Sequence, residues 1–187
     1  MPAPTAAPAP APKTSGLEGI IAGQTAVGAV AQDKLVYRGY EIHDLADHAT
    51  FDEVAFVLLV GHKPSPAELA AFKKEIVSMR ELPPLVVETL QKTAKLPFTV
   101  PMDTLRTAIS VLAHVDPDCQ SVEADADLRK AKRLLAQIPT IIGHMQNIID
   151  GKPIVKPDAS LDHAANLLWM MTGKKPSAEA ARVIDVS

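Results

Sequence analysis

Helix start and stop signals follow one another at short intervals along most of this chain. The clearest start signal is Ser65 followed by Pro66, with Glu68 three residues after the serine. A serine and a glutamate at this spacing form a capping box, and proline is favoured at the first position of a helix. From there, apolar residues recur at helical spacing as far as Met79. The sequence therefore predicts an amphipathic helix that begins at residue 66.

Similar signals predict about eight helices in all. Ser160 and Ser177 are candidate caps, Gly173 is a candidate stop, and Pro139 predicts a kink within the longest helix. The connections are short and marked by proline, and strands do not alternate with helices, which favours an all-α bundle. The predicted helices lie near residues 44–48, 51–60, 66–79, 84–95, 102–115, 125–149 and 161–172, and from residue 177 onward.

The chain before these helices has a different character. Residues 1–15 are rich in proline and alanine, a composition that predicts a disordered tail rather than a helix. Between Gly16 and Ile42, two apolar segments flank Ala31-Gln32-Asp33, which predicts one or two small β-hairpins. We therefore divide the chain into a tail, residues 1–15, and a folded part, residues 16–187.

The overall charge excludes some classes of protein. With 19 basic and 22 acidic side chains, the net charge is −3, whereas a nucleic-acid-binding protein normally carries an extended basic surface. The longest apolar run, from Val54 to Val60, is far shorter than the ~20 residues of a membrane-spanning helix. The sequence therefore predicts neither a nucleic-acid partner nor a membrane partner.

The single cysteine, Cys119, excludes a disulfide within the chain and zinc sites built on cysteine pairs. A reducing cytoplasm is the simplest location for such a chain. Asp116 and Asp118 lie close by in sequence and disfavour a thiolate, so we predict no redox or nucleophilic role for this cysteine.

Well-known catalytic and cofactor motifs are absent from the sequence. It contains no GxGxxG, Walker, GxSxG or HExxH motif, so dinucleotide binding, phosphate binding by a P-loop, serine hydrolysis and zincin chemistry have no support. The remaining candidates for chemistry are six histidines: His43, His48, His62, His114, His144 and His163.

One group of these candidates could in principle ligate a metal. His43, Asp44, Asp47 and His48 are close enough to share about one helical turn. The other interpretation is a capping aspartate and solvated side chains on a short helix. We favour the second interpretation because no further cluster completes a site, so no metal is predicted.

Two further features have competing interpretations. His114 and His144 lie near the ends of apolar helices, where a histidine interacts favourably with the helix dipole, and we favour that structural role over a catalytic one. Four cations share one helix face, and we expect them to be solvated, although they could meet an anionic ligand. These cations are Arg129, Lys130, Lys132 and Arg133.

Several sequence blocks, in order and at matching spacing, resemble the citrate synthase family. In that family, a small β element with a YRGY-type sequence leads into an all-α protein. The blocks span nearly everything after the tail, which makes the resemblance specific. They are GLEGIIAGQT from Gly16, YRGYEIHDLA from Tyr37, FDEVAFVLL from Phe51, PMDTLRTAIS from Pro101, ANLLWMMTG from Ala165 and ARVID from Ala181.

The resemblance implies the large-domain portion of an acyltransferase that condenses acetyl-CoA with oxaloacetate to give citrate and CoA. A carboxylate base removes a proton from acetyl-CoA, and the enol attacks the ketone. Histidine donors stabilise the developing charge, and arginines hold the carboxylates. It also implies a homodimer and no cofactor beyond the coenzyme A thioester that serves as substrate.

This sequence departs from the family at the catalytic residues. The family places its histidines in motifs of the type HExNAS, GPxHGG and GxGHxVY, with the aspartate base later still, and none of these motifs occurs here. No catalytic role is therefore transferred to any of the six histidines, no coenzyme-binding residue is assigned, and we expect the 187-residue chain alone to be inactive.

Three hypotheses follow. The chain is the N-terminal part of a truncated citrate synthase or 2-methylcitrate synthase, or it is a natural half-subunit completed by another chain. The third hypothesis is a non-catalytic helical module kept for packing or assembly.

Overall fold

The computed structural model of the protein describes residues 25–31 and 33–187. The predicted tail, residues 1–15, lies outside the described residues, as does the start of the predicted hairpin region. The described residues form a small sheet followed by eight helices, which confirms the predicted fold class. The strands are β1 (Gly28–Ala31), β2 (Lys34–Tyr37) and β3 (Tyr40–Glu41), and the helices are α1 (Ile42–His48), α2 (Phe51–Val60), α3 (Pro66–Ser78), α4 (Pro84–Thr93), α5 (Pro101–Leu112), α6 (Ala124–Ile149), α7 (His163–Thr172) and α8 (Ala178–Asp185).

The sheet consists of two successive antiparallel hairpins in the order β1-β2-β3. The β2–β3 turn is formed by Arg38 and Gly39, which have φ values of 50° and 90°. Two successive residues with positive φ are typical of the tight turns whose twist suits a hairpin. The Arg38 guanidinium also donates to the backbone oxygen of Leu58 at 3.0 Å, so the hairpin is attached to the end of α2.

Capping boxes begin two neighbouring helices. At α3, the amide of Glu68 donates to the Ser65 hydroxyl, and the amide of Ser65 donates to the Glu68 carboxylate at 2.8 Å, as predicted. At α2, Thr50 and Glu53 form the same reciprocal pair, although no cap was predicted there. Each box satisfies amides that have no partner within the helix.

Several helix boundaries differ from the predictions by a few residues, and two of these differences have a visible cause. The prediction that Ser160 caps α7 was wrong, because its hydroxyl and amide both donate to Asp158 in a turn and the helix begins only at His163. Helix α5 ends at Leu112 rather than near residue 115, and the amide of His114 bonds to Val111 in a following turn. The Ser177 cap of α8 is confirmed, since its hydroxyl accepts from the amide of Ala180 at 3.1 Å.

Helix α6 lies between two apolar clusters. One cluster joins it to α4 and α5, and the other joins it to α2 and α3. The helix continues through Pro139 without interruption, and a kink there stays a prediction. No helix in the described ranges is long and apolar enough to cross a membrane. The buried members of the first cluster are Val86, Leu90, Ala94, Ala108, Leu112, Ile141 and Met145, and those of the second are Ala55, Phe56, Phe72, Ile76 and Ala136.

Helices α6 and α7 approach each other most closely at Gly143. A Cβ atom at this position would lie 2.6 Å from the Cβ of Met170, closer than carbon atoms tolerate. One turn further along α6, the buried Asn147 amide donates to the backbone oxygens of both Gly143 and Met170 at 2.7 Å. The absence of a side chain at Gly143 and the bridging amide of Asn147 together determine how α7 packs on α6.

We predict that Gly143→Ala destabilises the protein by about 2 kcal/mol, because the added methyl group overpacks the contact with Met170. Urea unfolding measures the change. Gly28→Ala is the matched control, since a Cβ there would meet only ordinary contacts at 3.4 Å or more, and little change is expected. Equal stability of Gly143→Ala and the wild type would contradict the close contact.

Candidate functional site

Charged and polar side chains converge where α2, α3, α7 and α8 meet, and we call this group the polar cluster. Three of its members are almost fully buried: Asp52 is 5% exposed, Arg80 4% and His163 8%. Burying charged groups costs free energy unless they are paired. Within the described part of the chain, this cluster is therefore the strongest candidate for a functional site. Its further members are Lys73, Asp158, Asp162, Arg182 and Asp185.

Lys73 lies between two carboxylates. Its Nζ is 3.4 Å from Oδ2 of Asp52 on α2 and 3.0 Å from Oδ1 of Asp162, the N-cap residue of α7. Burial alone would lower the pKa of Lys73, but the hydrogen bond to Asp162 and the charge of Asp52 outweigh it and raise the pKa. The ammonium group therefore stays charged and joins α2, α3 and α7.

The pKa of Asp52 is raised, whereas the pKa of a carboxylate paired with a cation is normally lowered. Its burial in the first turn of α2 raises its pKa, and the nearby charge of Lys73 offsets only part of this effect. A raised pKa is often seen in catalytic acids. Here, however, the Asp52 carboxylate lies at a helix junction and is paired with Lys73. We therefore assign Asp52 the role of holding that lysine.

Arg80 fixes the segment that leads into α7. From the end of α3, its guanidinium donates through Nη1 to the backbone oxygens of Asp158 at 3.0 Å and Leu161 at 2.9 Å. These two carbonyls would otherwise be left with fewer partners in a partly buried turn. Asp158 in turn receives the Ser160 amide and hydroxyl, which hold its pKa below the usual range.

His163 is the first residue of α7 and stacks on Phe51 of α2, with ring centroids 4.4 Å apart. Its burial, with a smaller contribution from the charge of Arg80, lowers the pKa of His163 to about 4. The imidazole is therefore neutral at neutral pH. The sequence does not predict this burial, because it depends on packing against Phe51 of another helix.

Helix α8 is held by two residues of opposite charge. Arg182 donates to the backbone oxygens of Ala46 at 2.7 Å and Ala49 at 2.9 Å, at the C-terminal end of α1. Asp185 accepts a hydrogen bond from the amide of Phe51 at 3.0 Å, at the N-terminal end of α2. A cation at a helix C-terminus and an anion at an N-terminus both interact favourably with the helix dipoles. These two residues fix the position of α8.

Two grooves of about 340 and 260 Å³ border the polar cluster. The cations Lys73, Arg80 and Arg182, which border them, are bonded to carboxylates or carbonyls of the protein itself. No nucleophile, base and oxyanion donor come together among the described residues of the cluster. The charged groups of the cluster instead connect helices and turns of the same chain.

The structure places the predicted metal candidates on the surface. His43 and His48 are largely exposed, with Nδ1 of each 3.3 Å from a carboxylate, that of Glu41 and that of Asp44 respectively. In the described ranges, no group of three or more histidine, cysteine or acidic residues is arranged to hold a metal ion.

The role predicted for His144 was wrong. Rather than lying in the last turn of α6, it sits inside the helix and is 6% exposed. Burial lowers the pKa of His144, so the ring is neutral and does not act as a cation at the helix end. The segment after α6 covers it: Ile154 and Pro157 line, with His144, a cavity of about 310 Å³.

The basic face of α6 is paired within the protein rather than simply solvated. Arg133 contacts Asp116 and Asp118, each at 2.6 Å, and Arg129 also contacts Asp118. The hydrogen bonds from these two arginines hold the pKa of Asp118 well below its usual range. Lys132 pairs with Glu75 of α3 at 2.7 Å. The partners of this face are thus acidic residues of the same chain.

We predict that stability falls as the pH decreases from about 6.5 to about 4. A histidine whose pKa is lowered on folding stabilises the protein above its unfolded pKa and loses that contribution as the pH falls through the folded pKa. For His163 the loss reaches about 3 kcal/mol. Urea unfolding across this pH range measures it.

The variant His163→Phe keeps an aromatic ring against Phe51 and removes the titration. Its stability should fall less over the same pH interval than that of the wild type. Asp52, whose raised pKa gives the opposite trend, is common to both proteins, so their difference isolates the imidazole. Parallel curves for the two proteins would refute the assignment.

Comparison with known proteins connects this geometry to a family. A family model described as "Citrate synthase, C-terminal domain" matches residues 16–187. The citrate synthase of Haloferax volcanii is 34% identical over 177 residues, which cover 92% of this chain and 46% of that protein. The 2-methylcitrate synthase of Shewanella oneidensis is 38% identical over 180 residues, with the same shares of 92% and 46%.

The fold agrees with a solved structure. The crystal structure of citrate synthase from Pyrobaculum aerophilum is 32% identical and superimposes with a TM-score of 0.84, over 91% of this chain and 44% of that chain. The present chain thus spans a little less than half the length of the curated relatives described above. With a family match that covers most of its residues and a matching fold, the chain belongs to the citrate synthase family.

Proposed function

We propose that this chain forms the helical scaffold of an enzyme that condenses acetyl-CoA with oxaloacetate to give citrate and CoA. The observation that carries the proposal is the family match over residues 16–187, which includes every helix of the fold. The polar cluster supports the scaffold role, because its charged groups bond to other elements of the chain. We assign the scaffold to an N-terminal part of the enzyme.

The catalytic groups would come from residues outside this sequence. None of the six histidines lies in a family motif of the type HExNAS, GPxHGG or GxGHxVY. His163 and His144 are instead buried, and burial keeps both neutral at neutral pH. The chain's own contribution is to position α8 and the surfaces against which a catalytic part packs. We therefore assign no catalytic, coenzyme-binding or metal-binding role to its residues.

A second candidate is 2-methylcitrate synthesis, in which the acyl donor is propionyl-CoA. The observation that favours it is the 38% identity to a 2-methylcitrate synthase, against 34% to a citrate synthase. The donors differ by one methylene group, which a binding pocket distinguishes by only about 1–3 kcal/mol.

The partners and location belong to the same proposal. We propose a homodimer of the complete enzyme, or a complementing chain that supplies the catalytic motifs, and a cytoplasmic location. The lone Cys119, which forms no disulfide within the chain, supports a reducing compartment.

We predict that the purified chain releases no CoA thiol from acetyl-CoA and oxaloacetate above the rate without oxaloacetate. Mixing it with a polypeptide comprising the unmatched part of the 2-methylcitrate synthase relative should restore release, because that part supplies the missing catalytic groups. A thiol reagent measures both rates. Turnover by the chain alone would overturn the proposal, as would an inactive mixture.

The same assay with propionyl-CoA compares the two donors. Faster thiol release with propionyl-CoA than with acetyl-CoA would favour 2-methylcitrate synthesis, and the reverse would favour citrate synthesis. Because the added polypeptide influences this preference, the complementing polypeptide from the citrate synthase relative serves as the matched control.

A further inference from the structure

The cavity beside His144 is separate from the polar cluster, and we call it the His144 cavity. It has a volume of about 310 Å³ and lies where the α3–α4 connection, α4, α6 and the segment between α6 and α7 meet. It shares no lining residue with the two grooves that border the polar cluster. Small-molecule pockets range from about 300 to 1,000 Å³, so this cavity suits a small molecule rather than a nucleotide or coenzyme A.

His144 brings an unpaired imidazole to this cavity. The residue is 6% exposed, and neither ring nitrogen has a hydrogen-bond partner among the described residues. A neutral imidazole carries one donor and one acceptor, and burying such groups without partners costs free energy. Asn147, about one turn further along α6, is also buried, but its amide donates to two backbone oxygens. A ligand with a polar group near His144 would therefore relieve a cost that the chain itself leaves in place.

Two side chains of opposite charge border the same cavity. Glu81 lies in the α3–α4 connection, and Lys156 lies in the segment between α6 and α7. Both residues are exposed, and neither forms an ion pair within the described part of the chain, whereas Lys152 of the same segment pairs with Asp150 at 2.8 Å. A carboxylate and an ammonium group are therefore both available to a ligand.

The remaining lining of the cavity is apolar. Leu82 and Val87 come from the α3–α4 connection and α4, and Ile154 and Pro157 come from the segment that follows α6. All four are partly buried. A metal ion or a polyanion needs several groups of one kind, which this cavity does not offer. One charge of each sign beside apolar walls matches a small zwitterion with an apolar side chain.

We propose that the His144 cavity binds an aliphatic amino acid such as leucine. The ammonium group of the ligand would pair with Glu81 and its carboxylate with Lys156, while its side chain contacts the apolar walls. His144 would donate to the carboxylate or accept from the ammonium group, because a neutral imidazole offers both functions. This site goes beyond the proposed catalytic function and does not depend on it.

The segment that covers His144 would shift when such a ligand binds. Both ring nitrogens are shielded from solvent, and residues 152–157 form neither helix nor strand. Trp169, the single tryptophan of the chain, donates from Nε1 to the backbone oxygen of Lys156 at 3.0 Å. A ligand that moves this segment should therefore change the fluorescence of Trp169.

The test titrates L-leucine into the 187-residue chain and follows both the emission of Trp169 and the heat of binding. Two analogues each lack one charge: 4-methylpentanoate has no ammonium group, and 3-methylbutylamine has no carboxylate. The variants Lys156→Met and Glu81→Gln each remove one charge from the cavity, and both side chains are exposed, so both variants should fold. Lys152→Met is the matched control, because Lys152 is an exposed lysine of the same segment that does not line the cavity.

We expect a saturable change in emission with L-leucine, and binding at least about tenfold weaker in Lys156→Met and in Glu81→Gln. Each analogue should also bind at least about tenfold more weakly than leucine, and Lys152→Met should bind leucine as the wild type does. The absence of saturable binding below about 10 mM leucine would overturn the inference. Equal binding of either analogue, or unchanged affinity in both cavity variants, would overturn it as well.

His144→Leu tests the part that the imidazole plays. Leucine leaves no unpaired polar group in the core, so the melting temperature should be unchanged or higher, while the affinity for the amino acid falls at least about threefold. A lowered melting temperature with unchanged affinity would show that the ring serves packing alone and would overturn its assignment to the site. Thiol release is not measured in these experiments, so their outcome is independent of the proposed function.

Discussion

The close crossing of α6 and α7 at Gly143 is the contact on which the rest of the structure depends. Only glycine permits it, because a Cβ would collide with Met170, and the Asn147 amide bridges the two backbones at the same point. Helix α6 also contributes residues to both apolar clusters. The orientation of α7 is therefore determined by the longest and most central helix of the fold.

Polar contacts link the position of α8 to that of α7. The N-terminal end of α7 carries Asp162 and His163, which meet Lys73 and Phe51. Phe51 donates its amide to Asp185, and Arg182 binds the end of α1. Helix α8 has no fully buried residue, so these hydrogen bonds and charges add to its packing against α7 in defining where it lies. The charged groups thus act as positioning groups for the last helix.

Much of the fold follows from local sequence signals. The Ser65 and Ser177 caps, the prolines at helix starts and the apolar periodicity predict all eight helices, because these signals act within one turn. The start of α7 differs from the prediction because Ser160 bonds to Asp158 instead of capping the helix. The burial of His144 was missed because the segment that covers it is not part of the helix. Arg182 could be noted as part of a family-like block, but its contact with α1, more than 130 residues away in sequence, depends on tertiary structure.

The central claim is that the polar cluster positions α8, and amide hydrogen exchange in the variant Arg182→Met tests it most directly. Arg106→Met is the control, because Arg106 also pairs with an aspartate three residues away but is exposed on α5. We predict that Arg182→Met loses exchange protection in α8 while α4, α5 and α6 keep theirs, and that Arg106→Met leaves α8 unchanged. Unchanged protection of α8 in Arg182→Met would contradict the claim.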